Sequence, residues 1–448
     1  MCSPSRSTIF TGQDFFRLEG AASNWGTIDA KFALYPDILA AHGYHCGSTG
    51  KTWGPGNYLV GGRSMMPGHP AYNNYNIPED QRIVEDWPLD YAKNFEDFLS
   101  KRSQPDQPFS FWYGCTCPHR PYKVGSGLKA GKKLEDVEVP GCLPDNEGIR
   151  TELLDYALEI DWFDTHLGRM MAHLEKIGEL DNTIIVITSD NGMPFIHAKG
   201  FCFDSGTRVP LAIRWPEKIK AGRVISDFVN LKDMAPTFLE AAGVDVPEDM
   251  SGKSLINVFE SRKNGRIDPK RDFVITGRER FNPWMDCFPQ RAIRTDDFLY
   301  IKNYHPERKC ETDGIYDWKY VMDRKDDPKY NKLYKAYQDI KPAEELYDVK
   351  NDTWQMENLA ENPKYKKIKE DMARRMQKEL VRLKDPRAMG KGELFESYMI
   401  YSWNFDEQRP KTPQEDLKEY IKPEDRIATP EEIRKMQGKN FGRRESEK

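Results

Sequence analysis

The first residues of the chain combine a nucleophilic side chain with the features of a helix start. Ser3 is a good N-cap and Pro4 suits the first helical turn, so we predict a helix over residues 4–11. Cys2 would stand just before the positive end of that helix, where free N–H groups bind anions. Arg6 adds a planar charged fork that suits a tetrahedral oxyanion. The pattern indicates a thiol where an anionic ester would dock, and a structural thiol beside an ordinary capped helix is the alternative.

Two further candidate residues follow predicted strands. Lys51 comes after a short strand over residues 44–48, and His119 comes after an apolar strand over residues 108–114. Ligands bind at strand ends in open α/β sheets, and a histidine is suited to proton transfer near neutral pH. The alternatives are a solvated surface lysine and an imidazole satisfied by the backbone. The position after a central, buried strand favours function for His119.

An acidic and amide pair follows a third predicted strand, over residues 183–188. Asp190 and Asn191 supply carboxylate and amide oxygens, which are the ligands that a hard cation such as Ca²⁺ prefers. As an isolated tetrapeptide, the stretch could be only a turn, because Asp and Asn-Gly favour turns. Its placement at a strand end favours a metal site.

Several of these motifs together resemble the signatures of one enzyme family, the type I, formylglycine-dependent sulfatases. The resemblance runs from Cys2 to about Arg387. Within the family it is nearest to the heparan N-sulfatase (sulfamidase) branch, on residues 189–195 and 231–239. The motifs that carry it are Cys-x-Pro-Ser-Arg from Cys2 with Thr11-Gly12, Gly50-Lys51, Cys117-Pro118-His119-Arg120-Pro121, Ser189-Asp190-Asn191-Gly192 and Glu345-Leu346-Tyr347-Asp348.

The resemblance implies a role for each matching residue. Cys2 corresponds to the cysteine that is oxidised to formylglycine and attacks sulfur. Lys51 matches the lysine that contacts the sulfate and the formylglycine, and His119 the histidine that binds sulfate and protonates the leaving group. Lys199 falls where the sulfamidase branch has a basic residue near the sulfate. Trp53 stands where the family has a histidine, and an indole has no basic nitrogen.

The resemblance also implies a cation and its ligands. Asp190 and Asn191 match two calcium ligands of the family, and the oxidised Cys2 would be a third. We expect one Ca²⁺, with Mg²⁺ as the alternative. The cation, Lys51 and Arg6 would neutralise the negative charge of the substrate.

The implied substrate is a sulfated glycan, with the N-sulfate of glucosamine in heparan-type chains as the first choice. The alternatives are an O-sulfatase on another glycan, a phosphodiesterase or phosphonate hydrolase of the same superfamily, and an inactive, truncated sugar-binding remnant. The expected protein partner is a formylglycine-generating enzyme or a radical maturase. A homodimer is left open.

Composition sets limits on this assignment. The 448 residues carry a net charge of −5, which gives no sign of a nucleic-acid binder. No apolar run of about 18 residues predicts a membrane helix, and no signal peptide is evident.

The family places a strand ending in two aspartates before the cysteine motif, and none precedes Cys2. We therefore expect a fragment, a miscalled start or a degenerate protein. The chain as numbered should bind calcium poorly and be inactive, whereas a version extended upstream should be active. The full-length protein is expected to be periplasmic, extracellular or lysosomal.

The elements around these residues alternate between strand and helix over residues 44–243. With the resemblance, this predicts an α/β, alkaline phosphatase-like sandwich with a mixed, mostly parallel central sheet. A smaller C-terminal antiparallel α+β domain should follow, with a hairpin within residues 291–303. The predicted units are a catalytic domain over 1–265 without its N-terminal strand, an α+β subdomain over 266–386 and a charged surface tail over 387–448.

The remaining cysteines and histidines receive structural interpretations. Eight cysteines contain no Cys-x-x-Cys pair, so a structural zinc site is not indicated. Cys115 and Cys117 are too close in sequence to predict a stabilising disulfide between them, and we interpret Cys115 as a buried thiol. His166 and His173 lie seven residues apart on a long predicted helix over residues 153–177, and we place both on its surface.

Overall fold

The computed structural model describes residues 1–84, 87–281, 287–308, 310, 326–328, 331 and 340–401. Its α-helices are α1 (Cys2–Thr11), α2 (Tyr35–Ala41), α3 (Tyr91–Ser100), α4 (Ser126–Lys129), α5 (Glu147–Lys176), α6 (Asp204–Thr207), α7 (Met234–Ala241), α8 (Ile256–Glu260), α9 (Lys366–Arg382) and α10 (Leu394–Ser397). Its strands are β1 (His45–Gly50), β2 (Phe109–Gly114), β3 (Ile185–Thr188), β4 (Leu211–Arg214), β5 (Phe273–Arg278), β6 (Gln290–Thr295), β7 (Phe298–Asn303) and β8 (Glu344–Asp348). Within these ranges, no helix has the length and apolar character that crossing a bilayer requires.

The N-terminal part contains both strand orientations that a mixed sheet needs. β1 and β2 pair in parallel, with His45 opposite Phe109. β3 and β4 pair antiparallel, with Ile185 opposite Arg214. Helices connect the strands, and the α/β class predicted from the sequence is confirmed. In the described part of the chain, the two pairs form separate ladders.

A cavity of about 1440 Å³ lies between the two ladders. Both β2 and β3 line it with apolar side chains, among them Phe111 and Ile187, and α5 lines it as well. The sequence predicted β2 as a buried central strand, but five of its six residues are only half-buried. The reason is that each of these strands has a neighbour on one edge only among the described residues.

Helix α1 lies in the main core of the N-terminal part. Its Ile9 and Phe10 pack in one apolar cluster with Leu39 of α2 and Leu239 of α7. The helix therefore has a fixed position relative to the layers around it, and so does the cysteine at its first residue.

The start of α1 differs from the prediction. The helix begins at Cys2, and Ser3 does not act as its N-cap. Instead the Ser3 N–H donates to Asn24 Oδ1 (3.1 Å), and the Ser3 hydroxyl donates to the carbonyl of Pro55. Because Asn24 of a neighbouring loop accepts from the Ser3 N–H, this N–H group needs no cap from the helix's own sequence.

The C-terminal part is a four-stranded antiparallel sheet in the order β5-β6-β7-β8. The hairpin predicted within residues 291–303 is the β6–β7 pair. Helix α9 packs Met372, Met376 and Leu380 against Ile293 and Leu346 of this sheet. A small antiparallel α+β unit is therefore present, and its proposed boundary at residue 265 stays a prediction.

The segment after residue 386 begins inside this unit rather than as a surface tail. Arg387 and Phe395 are 7% and 2% exposed. Arg387 Nη2 donates to Glu279 Oε2 (2.7 Å), and a buried carboxylate requires such a partner. The expectation of a surface tail therefore fails at Arg387, Phe395 and Tyr401, which are buried, whereas the other residues of 387–401 are half-buried or exposed. Residues 402–448 lie outside the described part.

Helix α5 is longer than predicted and buries one of its histidines. Asn146 caps it by accepting a hydrogen bond from the Ile149 N–H (3.0 Å). The side chain of His173 is 23% exposed, as expected for a surface position. The side chain of His166 is fully buried, with its ring 4.6 Å from that of Trp162, so its surface assignment was wrong. Helix α3 packs over this face of α5, which the periodicity of α5 alone does not reveal.

Candidate active site

Cys2 lies at the first residue of α1 and is 4% exposed. Its sulfur lies 3.7 Å from Asn191 Nδ2, which donates to it. Burial and the Asp190 carboxylate would raise the pKa of the Cys2 thiol. The positive charges of Lys51, Lys199 and Arg6 outweigh both and lower this pKa overall. The site therefore favours negative charge at Cys2.

Arg6 joins three segments of the site. Its Nε donates to Asp190 Oδ2 (2.6 Å), after β3. Its Nη1 donates to the carbonyls of Lys51 (2.5 Å) and Thr52 (2.9 Å), after β1. The guanidinium is thus engaged largely by protein groups, so its geometry suits positioning more than the direct oxyanion contact predicted from the sequence.

Asp190 and Asn191 meet Cys2 and Arg6, as the sequence predicted. Asn191 Nδ2 also donates to Asp190 Oδ1 (2.6 Å), so that both Asp190 oxygens have partners. Burial alone would raise the pKa of Asp190, but Arg6 and Lys51 hold it well below its usual range. Asp190 is therefore a carboxylate at all ordinary pH values.

Lys51 reaches the site because the ends of the parallel strands β1 and β2 lie very close together at Gly50 and Gly114. Its N–H donates to the Gly114 carbonyl (2.7 Å), and Gly50 before it has a φ of 74°. A Cβ on Gly114 would lie 1.8 Å from the Lys51 carbonyl oxygen. Only glycine permits this approach, which turns the chain after β1 toward Cys2.

His119 and Lys199 form a pair at the site. Lys199 Nζ lies 3.4 Å from His119 Nε2, and Lys199 is 5% exposed. His119 Nδ1 lies 2.6 Å from the Arg120 carbonyl. Since a carbonyl only accepts, Nδ1 carries the proton and Nε2 is the basic nitrogen that faces Lys199.

The loop that carries His119 has an anchor that the sequence analysis missed. Arg120 Nη2 donates to Glu152 Oε2 (2.6 Å) on α5, and Arg120 Nε donates to the Pro194 carbonyl (2.9 Å). Glu152 is 8% exposed. No local signal distinguishes Glu152 from the other acidic residues of a charged helix, so only the tertiary contact reveals it.

Trp53, which replaces a histidine of the family pattern, is directed at α1. Its indole N–H donates to Ser7 Oγ (2.8 Å), and its side chain is buried in the core around α1. Trp53 thus holds the helix and offers no basic nitrogen to Cys2.

The described residues do not form a calcium coordination sphere. Ca²⁺ takes about six to eight oxygen ligands. Asp190 and Asn191 offer oxygens, but Arg6 and Asn191 already contact both Asp190 oxygens. The described ranges contain no cluster of three or more acidic, His or Cys side chains with metal-binding geometry. We therefore assign no reaction step to a metal here.

Comparison with known proteins gives the class of enzyme. The sulfatase family model matches residues 1–244, and the model for the C-terminal region of N-sulphoglucosamine sulphohydrolase matches residues 195–336. The chain belongs to the sulfatase family. It is an α/β, alkaline phosphatase-like member of that family, and its relatives within it differ in substrate.

Three relatives illustrate that range. An ulvan-active sulfatase of Formosa agariphila is 23% identical over 92% of this chain and 72% of its own length. Human N-sulphoglucosamine sulphohydrolase is 24% identical over 82% of this chain and 78% of its own. A protein solved in complex with its substrate D-glucosamine-2-N,6-O-disulfate has a TM-score of 0.61 and 22% identity, over 86% of this chain and 89% of its own. The structural match confirms the fold.

Proposed function

We propose that this sulfatase removes sulfate from a sulfated sugar, with the N-sulfate of a glucosamine in a heparan-type chain as its first substrate. The match of residues 195–336 to the C-terminal region of N-sulphoglucosamine sulphohydrolase supports this choice. The ulvan-active relative supports an O-sulfated sugar as the alternative. The observation that carries the proposal is the set of cations around Cys2, namely Lys51, Lys199 and Arg6.

The proposed chemistry starts at Cys2. Once oxidised to formylglycine, an aldehyde, this residue adds water to form a geminal diol, and one of its two hydroxyl groups attacks sulfur. Lys51 and Lys199 attract the sulfate anion and balance the charge that develops as the bond to sulfur breaks. Arg6 holds α1 against both strand ends, so the attacking group keeps its orientation.

Proton transfer to the leaving group is assigned to His119. Its Nδ1–H is fixed by the Arg120 carbonyl, so Nε2 is the atom that can receive a proton from Lys199 and deliver it. Arg120, held by Glu152, keeps the imidazole in that orientation. A leaving nitrogen or oxygen at His119 Nε2 would thereby depart neutral.

The test is sulfate release from chain produced together with a formylglycine-generating enzyme. Peptide mass spectrometry first establishes conversion of Cys2, with Cys2→Ala as the unconverted control. Release of inorganic sulfate from N-sulfoglucosamine, glucosamine 6-sulfate, an aryl sulfate and an aryl phosphate diester is then compared. We expect the N-sulfate to give the highest kcat/KM. Full conversion with no sulfate released in the presence of calcium would overturn the proposal.

A second candidate is a protein that binds sulfated sugars without turnover. The observation that favours it is the small number of oxygen ligands around Asp190 in the described residues. It requires that Cys2 remain a thiol in co-produced protein and that calorimetry show N-sulfoglucosamine binding with no sulfate release. Calcium should then bind only weakly, with a Kd above about 10⁻³ M.

A further inference from the structure

The C-terminal sheet contacts the segment of Lys199 through a buried arginine that takes no part in the chemistry proposed above. Arg278 is the last residue of β5, and its Nη1 donates to the carbonyl of Gly200 (2.7 Å), the residue next to Lys199. Arg278 is 2% exposed and Lys199 is 5% exposed. A buried guanidinium thus holds the backbone directly beside a residue of the site.

Lys199 lies on a tight turn with a backbone contact on either side. On one side, the Lys199 N–H donates to the Met193 carbonyl (3.1 Å). On the other side, Gly200 has a φ of 91°, which side chains other than glycine rarely adopt, and its carbonyl accepts from Arg278. The chain then continues into the apolar cluster of the C-terminal sheet, where Phe201 packs. The direction of Lys199 therefore depends on the contact between Arg278 and Gly200.

The position of Arg278 is itself well determined. The centre of its guanidinium lies 5.7 Å from the ring centre of Phe281 and 5.9 Å from that of Phe288. In the sheet, Arg278 pairs with Gln290 of β6, and its carbonyl accepts from Arg291 Nη1 (3.3 Å). Because backbone and side chain are both held by the sheet and its aromatic neighbours, Arg278 can fix the turn instead of following it.

The segment that follows β5 also contacts the helix of Cys2. The Arg280 carbonyl accepts from the Asn24 N–H (3.2 Å), and Asn24 Oδ1 accepts from the Ser3 N–H (3.1 Å). Asn24 is 4% exposed, so water competes little for these bonds. The end of β5 therefore supports both the turn of Lys199 and the start of the helix that carries Cys2.

We propose that Arg278 is a positioning residue for sulfate release, which holds Lys199 beside His119 and at a fixed place relative to Cys2. Without the contact to Gly200, the turn relaxes and the Lys199 ammonium leaves its position 3.4 Å from His119 Nε2. The effect on catalysis rests on the proposed function, whereas the effect on the turn does not.

Hydrogen exchange on the full chain tests the effect on the turn. In Arg278→Met, we expect the peptides that cover residues 193–206 to exchange at least about tenfold faster than in the wild-type chain, because a lost hydrogen bond from a charged group lowers local stability. Peptides of α5 should exchange as before, which separates a local change from general unfolding.

Kinetics on chain produced with a formylglycine-generating enzyme test the effect on catalysis. Arg278→Met should lose about 10²-fold in kcat/KM on the preferred sugar sulfate, because a displacement of about 1 Å costs this much. The loss should be smaller on the sulfate of an acidic phenol, since that leaving group needs no proton from His119. Guanidinium chloride, well below unfolding concentrations, should restore part of the lost activity, whereas sodium chloride at equal ionic strength should not.

Arg223→Met is the matched control. Arg223 is half-buried and donates to the carbonyls of Val258, Phe259 and Lys263, at α8 and not at the site. Like Arg278→Met, this variant removes hydrogen bonds from a guanidinium to the backbone. It should leave the exchange of residues 193–206 and the ratio of kcat/KM for the two substrates unchanged.

The proposal is overturned if residues 193–206 exchange equally fast in Arg278→Met and wild type. Equal losses on both substrates without rescue by guanidinium would also overturn it, because a purely structural defect behaves in that way. Absence of sulfate release from wild-type chain with fully converted Cys2 would overturn the proposed function instead, and the exchange data would still decide whether Arg278 holds the turn.

Discussion

At the scale of single residues, Arg6 shows how one side chain can connect the separate segments of a site. Its fork joins the helix of Cys2 to the ends of β1 and β3. The sequence identified Arg6 and its charge, but it could not identify these partners, which lie 45 to 184 residues away. Long-range partners of this kind depend on how the strands are placed, and no local pattern encodes that placement.

We predict that Arg6→Lys lowers kcat/KM for sulfate release by about 10²-fold. A lysine keeps the charge but cannot reach Asp190 and two carbonyls together, and a lost charged hydrogen bond costs about 1.5–3 kcal/mol. Steady-state kinetics on converted enzyme measure the effect. Arg382→Lys, at an exposed arginine paired with Glu379, is the matched control and should change nothing. Equal activity of the two variants would show that the Arg6 network is dispensable.

At the scale of elements, the contact between α3 and α5 buries a titratable group. The Ala92 N–H donates to His166 Nδ1 (3.3 Å), which must therefore be unprotonated. Burial and the Arg169 charge lower the pKa of His166 to about 4, although Asp90 opposes them. The sequence predicted the helix that is α5 but placed His166 on its surface, because helical periodicity does not say how many faces of a helix are covered.

We predict that His166 makes the protein less stable as the pH falls from about 6.5 to 4. In this range the unfolded chain takes up a proton that the folded chain does not, so unfolding is favoured, by up to about 3 kcal/mol in total. Urea unfolding at several pH values should show a flatter dependence for His166→Gln. His173→Gln, on the same helix but partly exposed, serves as control. Parallel pH curves for wild type and His166→Gln would contradict the assignment.

A second element-scale feature is the ionic cluster between β6 and the segment after α9. Arg291 Nη2 donates to Glu279 (2.7 Å) and Arg291 Nε to Asp385 (2.7 Å), and all three side chains are fully buried. We predict that Arg291→Met destabilises the protein by about 3–5 kcal/mol, because the buried Asp385 carboxylate loses its guanidinium partner and Glu279 keeps only Arg387. Arg375→Met, at a half-exposed pair with Asp272, should cost at most about 1 kcal/mol in the same denaturation assay. Similar losses in both variants would refute this.

At the scale of the whole molecule, the cavity between the two ladders is the main departure from the expected single sheet. In the described residues, β2 and β3 each present one unpaired edge to it. The alternation of elements predicted a sheet covered by helices, and the family resemblance predicted the sandwich with its mixed sheet. A catalytic domain without its N-terminal strand was expected, but the position of the opening between β2 and β3 could not be predicted, since strand adjacency is decided by pairing between distant segments.

We predict that the cavity binds an apolar fluorescent dye such as anilinonaphthalene sulfonate, with enhanced emission, under native conditions. Its apolar lining and its volume of about 1440 Å³ accommodate such a molecule. Ile187→Glu, which places a carboxylate in the lining, should reduce the signal. Val224→Glu, at an aliphatic residue that is 76% exposed, should leave it unchanged. An unchanged signal in Ile187→Glu would locate the dye elsewhere.

The sequence by itself determined the family, through its motifs, and the α/β class, through the alternation of strands and helices. It also placed Lys51, His119 and Asp190 after strands, whose ends converge at one edge of a sheet, and the family resemblance joined Cys2 to them. Only the tertiary structure decided how they are connected. The Lys199–His119 pair and the anchor from Glu152 both depend on side-chain directions and packing between segments. Local patterns specify which elements form, whereas the distances on which chemistry depends are set when those elements pack together.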